Sequence, residues 1–106
     1  MLTEEKIQEL KAKYGELHEI TAEISEDESL VVTCRAPSRP LFARFTKEAK
    51  EDMHRAMTNL VNDCLLDPDL ATVKAKFEQY PGLPATLAGD LLELAKAGVK
   101  TTVRTF

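Results

Sequence analysis

The feature that most constrains this chain is a change of period. Residues 4–14 space their apolar side chains as a helix does. From His18 the pattern switches to strict alternation: His18, Ile20, Ala22 and Ile24 against Glu19, Thr21, Glu23 and Ser25. A two-residue repeat puts one apolar and one polar face on an extended segment. After the polar turn Glu26-Asp27-Glu28-Ser29 comes the β-branched run Leu30-Val31-Val32-Thr33-Cys34-Arg35-Ala36, with Leu30, Val32, Cys34 and Ala36 on one face. The two segments predict an antiparallel hairpin. Two strands alone are marginal in water, so helices or another subunit must cover them.

The flanks supply boundary signals. Thr3 precedes Glu4 and Glu5, a cap followed by acids at the positive end of the helix dipole. Ile7, Leu10 and Tyr14 line that helix, and Gly15 ends it. Pro37-Ser38-Arg39-Pro40 breaks the second strand, and Ser38 can cap a helix with Pro40 in its first turn. Leu41, Phe42, Phe45 and Ala49 form one stripe; Met53, Ala56, Met57, Leu60, Val61, Cys64 and Leu65 form another. Lys47–Asp52 is either helix surface or a short break, so one long helix or two fit residues 39–66.

Asp67 is expected to cap a helix that has Pro68 at its first position and Leu70, Val73 and Phe77 along one side. Tyr80-Pro81-Gly82-Leu83-Pro84 is a turn. Pro84 then opens a last helix through Leu87, Leu91, Leu94 and Ala95, which Gly98 ends. The predicted class is α+β: an N-terminal helix, one hairpin, then three or four packed helices. Residues 1–98 form a single domain, and 99–106 a mobile basic tail.

Composition narrows the function. At 106 residues the chain is one domain. No apolar run approaches the ~20 residues that span a bilayer, and the acidic N-terminus is unlike a secretory signal. A soluble cytoplasmic protein, without a membrane partner, is expected. The net charge of −4 is unevenly spread: −6 over residues 1–28, +3 over 29–62, −4 over 63–93 and +3 over 94–106. A nucleic-acid partner normally needs a dominant basic face. Alternating charge suits protein surfaces instead.

No catalytic set stands out. His18 and His54 are the only histidines, and Cys34 and Cys64 the only cysteines. The cysteines fall on apolar stripes, where a free thiol behaves as a small hydrophobe. His18 lies on an edge strand with no sequence feature pairing it to a thiol. Asp52 and His54 are two apart, the wrong spacing for one helix face. No phosphate loop or paired-cysteine zinc spacing is present. No cofactor or metal and no enzymatic activity are expected. The segment Arg35–Phe45 gathers three arginines, Arg35, Arg39 and Arg44, around a helix start, where charge and free backbone N–H groups can meet an acidic partner.

The run Val31-Val32-Thr33-Cys34-Arg35-Ala36-Pro37-Ser38-Arg39-Pro40-Leu41-Phe42-Ala43-Arg44-Phe45 is followed by Leu60-Val61-Asn62-Asp63-Cys64-Leu65-Leu66-Asp67-Pro68, then Tyr80-Pro81-Gly82-Leu83-Pro84-Ala85-Thr86-Leu87 and Leu91-Leu92-Glu93-Leu94-Ala95. This order resembles the small tail assembly chaperones of long-tailed bacteriophages and prophages, over about residues 28–98. The resemblance implies a non-enzymatic, short-form protein of the host cytoplasm. Such a protein binds the tape measure protein and keeps it soluble until tail tube subunits polymerise around it. The tail tube protein is then a second partner. A structural tail or head-tail connector subunit is the alternative.

The family supplies no residue-level contact motif. From the residues, the expected partner surface is Arg35, Arg39, Leu41, Phe42, Arg44 and Phe45, with Met53 and Met57, whose flexible thioethers adapt to varied partners. An exposed hairpin edge also offers copies of the chain a way to form a homo-oligomer, as a closed ring or an open spiral.

Overall fold

The computed structural model describes residues 2–97 and 99–106. Helix α1 spans Glu4–Tyr14, strands β1 and β2 span Leu17–Glu23 and Ser29–Arg35, and helices α2 and α3 span Arg39–Ala49 and Met53–Cys64. A short strand β3, Leu65–Asp67, follows, then helices α4, Leu70–Gln79, and α5, Leu83–Leu94. The architecture is α+β, with a three-stranded antiparallel sheet in the order β1-β2-β3.

The predicted caps form. The Thr3 hydroxyl accepts from the Lys6 N–H at 3.1 Å. Gly15 has φ of +82° and donates its N–H to the Lys11 carbonyl, the left-handed stop that glycine adopts without a Cβ clash. Ser38 caps α2 with Pro40 in the first turn. The stretch 39–66 resolves into two helices. The chain breaks at Lys50–Asp52, and Asp52 caps α3 by accepting from the Arg55 N–H at 3.1 Å.

Two expectations are corrected. The sheet gains a third strand, because α3 stops at Cys64 and the next three residues run beside β2, pairing Leu65 with Cys34 and Asp67 with Thr33. Asp67 therefore belongs to a strand and caps nothing. Asp69 caps α4, accepting from the Thr72 N–H at 3.0 Å. Pro68 is spent in the link, joined to Asp67 by a cis peptide bond. The expected helix stop at Gly98 lies outside the described residues.

The core sits between one sheet face and the helices. In the uninterrupted β1–β2 register, Ala22 faces Leu30, Ile20 faces Val32 and His18 faces Cys34. Leu30, Val32 and Cys34 are buried against Leu60, Val61 and Cys64 of α3, Val73 of α4, and Leu83, Leu87, Ala88 and Leu91 of α5. Helix α2 buries no residue completely, but Leu41 and Phe45 pack on this cluster.

Polar ties hold the periphery. The Tyr80 hydroxyl and the Lys76 ammonium donate to the two oxygens of Glu28, at 2.7 and 2.5 Å, clasping the hairpin turn to α4 and the start of α5. These donors hold the Glu28 carboxyl below its ordinary pKa, the Lys76 bond being the larger cause. The clasp thus favours the fold above the ordinary carboxylate pKa and is lost as pH falls. Arg44 pairs with Asp63 and, at 3.3 Å, with Glu48, joining α2 to the end of α3.

Leu91 is 1% exposed at the centre of this cluster. Leu91→Ala should cost about 2–5 kcal/mol in urea unfolding, the range for a buried leucine whose cavity relaxes only in part. A loss below ~1 kcal/mol would show that α5 does not seal the sheet as described.

Candidate partner-binding groove

One sheet face is sealed, and the other carries Leu17, Glu19, Thr21 and Glu23 of β1 beside Val31 and Thr33 of β2. Helix α1 stands over this second face. None of its residues is fully buried. Its C-terminal end is pinned where the Arg35 guanidinium lies over the Tyr14 ring, 4.9 Å from the centroid. Between helix and sheet runs an open groove of about 710 Å³. Leu2 and Ile7 line one wall, Leu17 and Val31 the floor, and Lys11, Glu19 and Asp67 supply charge at its edges. Val31 is 45% exposed there, although it is a large aliphatic residue in a paired strand.

The eight expected surface residues lie elsewhere, and none lines this groove. Arg35 and Arg44 converge on Asp63: Arg35 donates to the Asp63 carbonyl at 3.3 Å, and Arg44 pairs with its carboxylate. Both arginines thereby act as internal ties. Phe42 and Phe45 pack ring to ring with centroids 6.3 Å apart. Leu41, Phe45 and Met57 lean on the core. Arg39 and Met53 are exposed, at the starts of α2 and α3.

The groove-lining residues had a signal in the sequence. Leu30-Val31-Val32 is apolar on both faces, whereas a half-buried strand alternates. Val31 is out of phase with the core and therefore marks a second apolar surface.

The register brings His18 opposite Cys34, a juxtaposition that no sequence spacing announced. Both thiols are nevertheless buried, Cys34 at 2% and Cys64 at 0% exposure. Burial pushes each thiol up to about 11 from an ordinary value of 9.0, with the Asp90 charge adding to the shift at Cys34. A nucleophilic cysteine needs the reverse shift and access to solvent. Among the described residues no group of three or more His, Cys, Asp or Glu is placed to hold a metal ion, and no helix is long and apolar enough to cross a membrane.

Because the thiols ionise later in the folded state than in the unfolded one, their contribution to stability is complete below about pH 9 and declines as pH rises towards about 11. Urea midpoints should fall across that window. Replacing both cysteines with alanine should flatten the decline. An unchanged slope in the double variant would place the alkaline loss on other groups.

The fold recurs in a solved structure. The uncharacterised protein rbstp2171 from Bacillus stearothermophilus is 31% identical and superposes with a TM-score of 0.77, over 92% of this chain and 99% of that one. No curated protein matches the sequence. A family model described as a domain of unknown function, DUF6848, matches residues 10–105, and the chain belongs to that family.

Proposed function

We propose that this protein grips another polypeptide, as an assembly chaperone of the tail-chaperone kind. Its client is an amphipathic helix of a tape measure protein, held soluble until tube subunits arrive. The landmark order from Val31 to Ala95 supports the family reading. The observation that carries the binding mode is the groove between α1 and the outer sheet face. Leu2, Ile7, Leu17 and Val31 line it with an apolar strip suited to the i, i+3 and i+4 anchors of an amphipathic helix.

The energetics suit that task. Helix α1 is attached by partly exposed contacts and one cation–π stack, so little burial is lost if it shifts to fit a client. A long client presents many similar segments, and modest affinity at each sums through multivalency. Charge at the groove edge, Lys11 on the helix and Glu19 and Asp67 on the sheet, sets orientation more than strength.

Co-expression with the tape measure protein tests this reading. The client should move from the insoluble to the soluble fraction when this chain is present. Ile7→Asp and Val31→Lys, which alter the groove without touching the core, should weaken capture of the client by tenfold or more, the effect of about 1.4 kcal/mol, while the far-UV spectrum stays unchanged. Equal insolubility of the client with and without this chain would refute the reading.

A further inference from the structure

The last eight residues, Val99–Phe106, form no helix or strand and are exposed throughout. Val103 is 90% and Phe106 105% exposed. The radius of gyration is 15.2 Å, against about 13 Å for a compact chain of this length. Yet the segment is written as a strand: Val99, Thr101, Val103 and Thr105 alternate with Lys100, Thr102, Arg104 and Phe106.

The sheet offers a matching vacancy. Strand β1 is an edge. The Ile24 N–H points to the Glu28 carbonyl on the β2 side, at 2.9 Å. By the alternation of an antiparallel ladder, Leu17, Glu19, Thr21 and Glu23 then turn their N–H and C=O groups to the free side. On the tail Lys100 and Arg104 are four residues apart. On β1 Glu19 and Glu23 are four residues apart.

We propose that residues 99–106 of one copy add as a fourth, antiparallel strand to the free edge of β1 in a second copy, with Lys100 opposite Glu23 and Arg104 opposite Glu19. The register satisfies both faces at once. Thr102 falls opposite Thr21, and Phe106 opposite Leu17 at the mouth of the groove. On the other face Val103 meets Ile20, Val99 meets Ile24, and Thr101 meets Ala22, extending the row that packs on the helices. Both charged pairs and the β-branched pairs are favourable cross-strand neighbours. A slip of one residue would put the two valines among the glutamates and the two cations on the apolar row.

For this antiparallel register the donor is another copy. Helix α5 starts beside the hairpin turn, where Tyr80 holds Glu28. It runs towards the opposite end of β1, where the charge of Asp90 reaches Cys34, the partner of His18. The chain therefore leaves α5 near the start of β1, whereas Val99 pairs with Ile24 at the far end. Four residue steps from Ala95 reach at most ~14 Å, and the six residue steps from His18 to Ile24 extend ~20 Å. A parallel pairing on its own edge could match the same charges, Lys100 beside Glu19 and Arg104 beside Glu23, but its slanted hydrogen bonds make the weaker ladder, and residues 99–106 do not adopt it.

Light scattering across a concentration series of the full-length chain tests the proposal. Association should grow with concentration. Lys100→Glu with Arg104→Glu should weaken it about tenfold or more, and so should Glu19→Lys with Glu23→Lys, because each replaces two attractive pairs by two repulsive ones. All four substitutions together should restore it. Melting curves of each variant confirm that the domain is folded. A wild-type chain that stays monomeric at the highest concentration reached, unaltered association in either double variant, or no recovery in the fourfold variant would overturn the proposal.

Discussion

The row Leu30, Val32 and Cys34 on β2 meets Leu60, Val61 and Cys64 on α3, and Leu87 and Leu91 on α5 close over them. This contact fixes the rest of the structure. A two-stranded ribbon is unstable in water until one face is covered, and the helices bury their leucines against that face and against one another. Alternation then rules out a one-residue shift, which would put Glu19 and Glu23 into the core. The same alternation leaves the second face covered only lightly, by α1, and the outer edge of β1 unpaired among the described residues. Features that serve stability thus create the surface available to another chain.

Polar groups work at the margins of this design. The described residues bury no polar or charged residue completely. Specific ties lie at the corners instead: Glu28 with Lys76 and Tyr80, Arg44 with Asp63 and Glu48, Arg35 over Tyr14. The Glu28 clasp and the Arg35–Tyr14 stack join elements distant in sequence, Arg44 ties α2 to the end of α3, and each is partly solvated, where ion pairs contribute modestly. Their effect is positional. They orient the hairpin turn, hold α2 on α3, and anchor one end of α1 while its remainder stays lightly attached over the groove.

Much of the fold was legible because its signals are local. Thr3, Gly15 and Ser38 act within three or four residues of their own positions, and the alternation around Ile20 and Val32 is visible in the chain itself. What escaped is tertiary. Strand β3 is three residues long, too short to show a period, and exists because β2 offers it an edge. The helix break at Lys50–Asp52 is set by Asp52 as a cap, which reads in sequence like one more charged surface residue. Asp69 competes with Asp67 for the same role, and the strand claims Asp67. The arginines of the 35–45 segment read as a free cationic patch, because nothing in the sequence places Asp63 beside two of them. The groove was hinted at only by Val31, apolar on the polar side of its strand.

Residue-resolved amide hydrogen exchange tests most directly the claim that this sheet seals one face and offers the other to a second polypeptide. In the isolated chain, the Ile20 and Ala22 amides, which point into the β1–β2 ladder, should exchange slowly, and those of Glu19, Thr21 and Glu23 quickly. When a client helix or a second copy binds, new protection should appear along α1 and the outer edge of β1, with the α3–α5 core unchanged. Protection that builds instead on α2 and α3, or fast exchange throughout β1 in every state, would contradict the account.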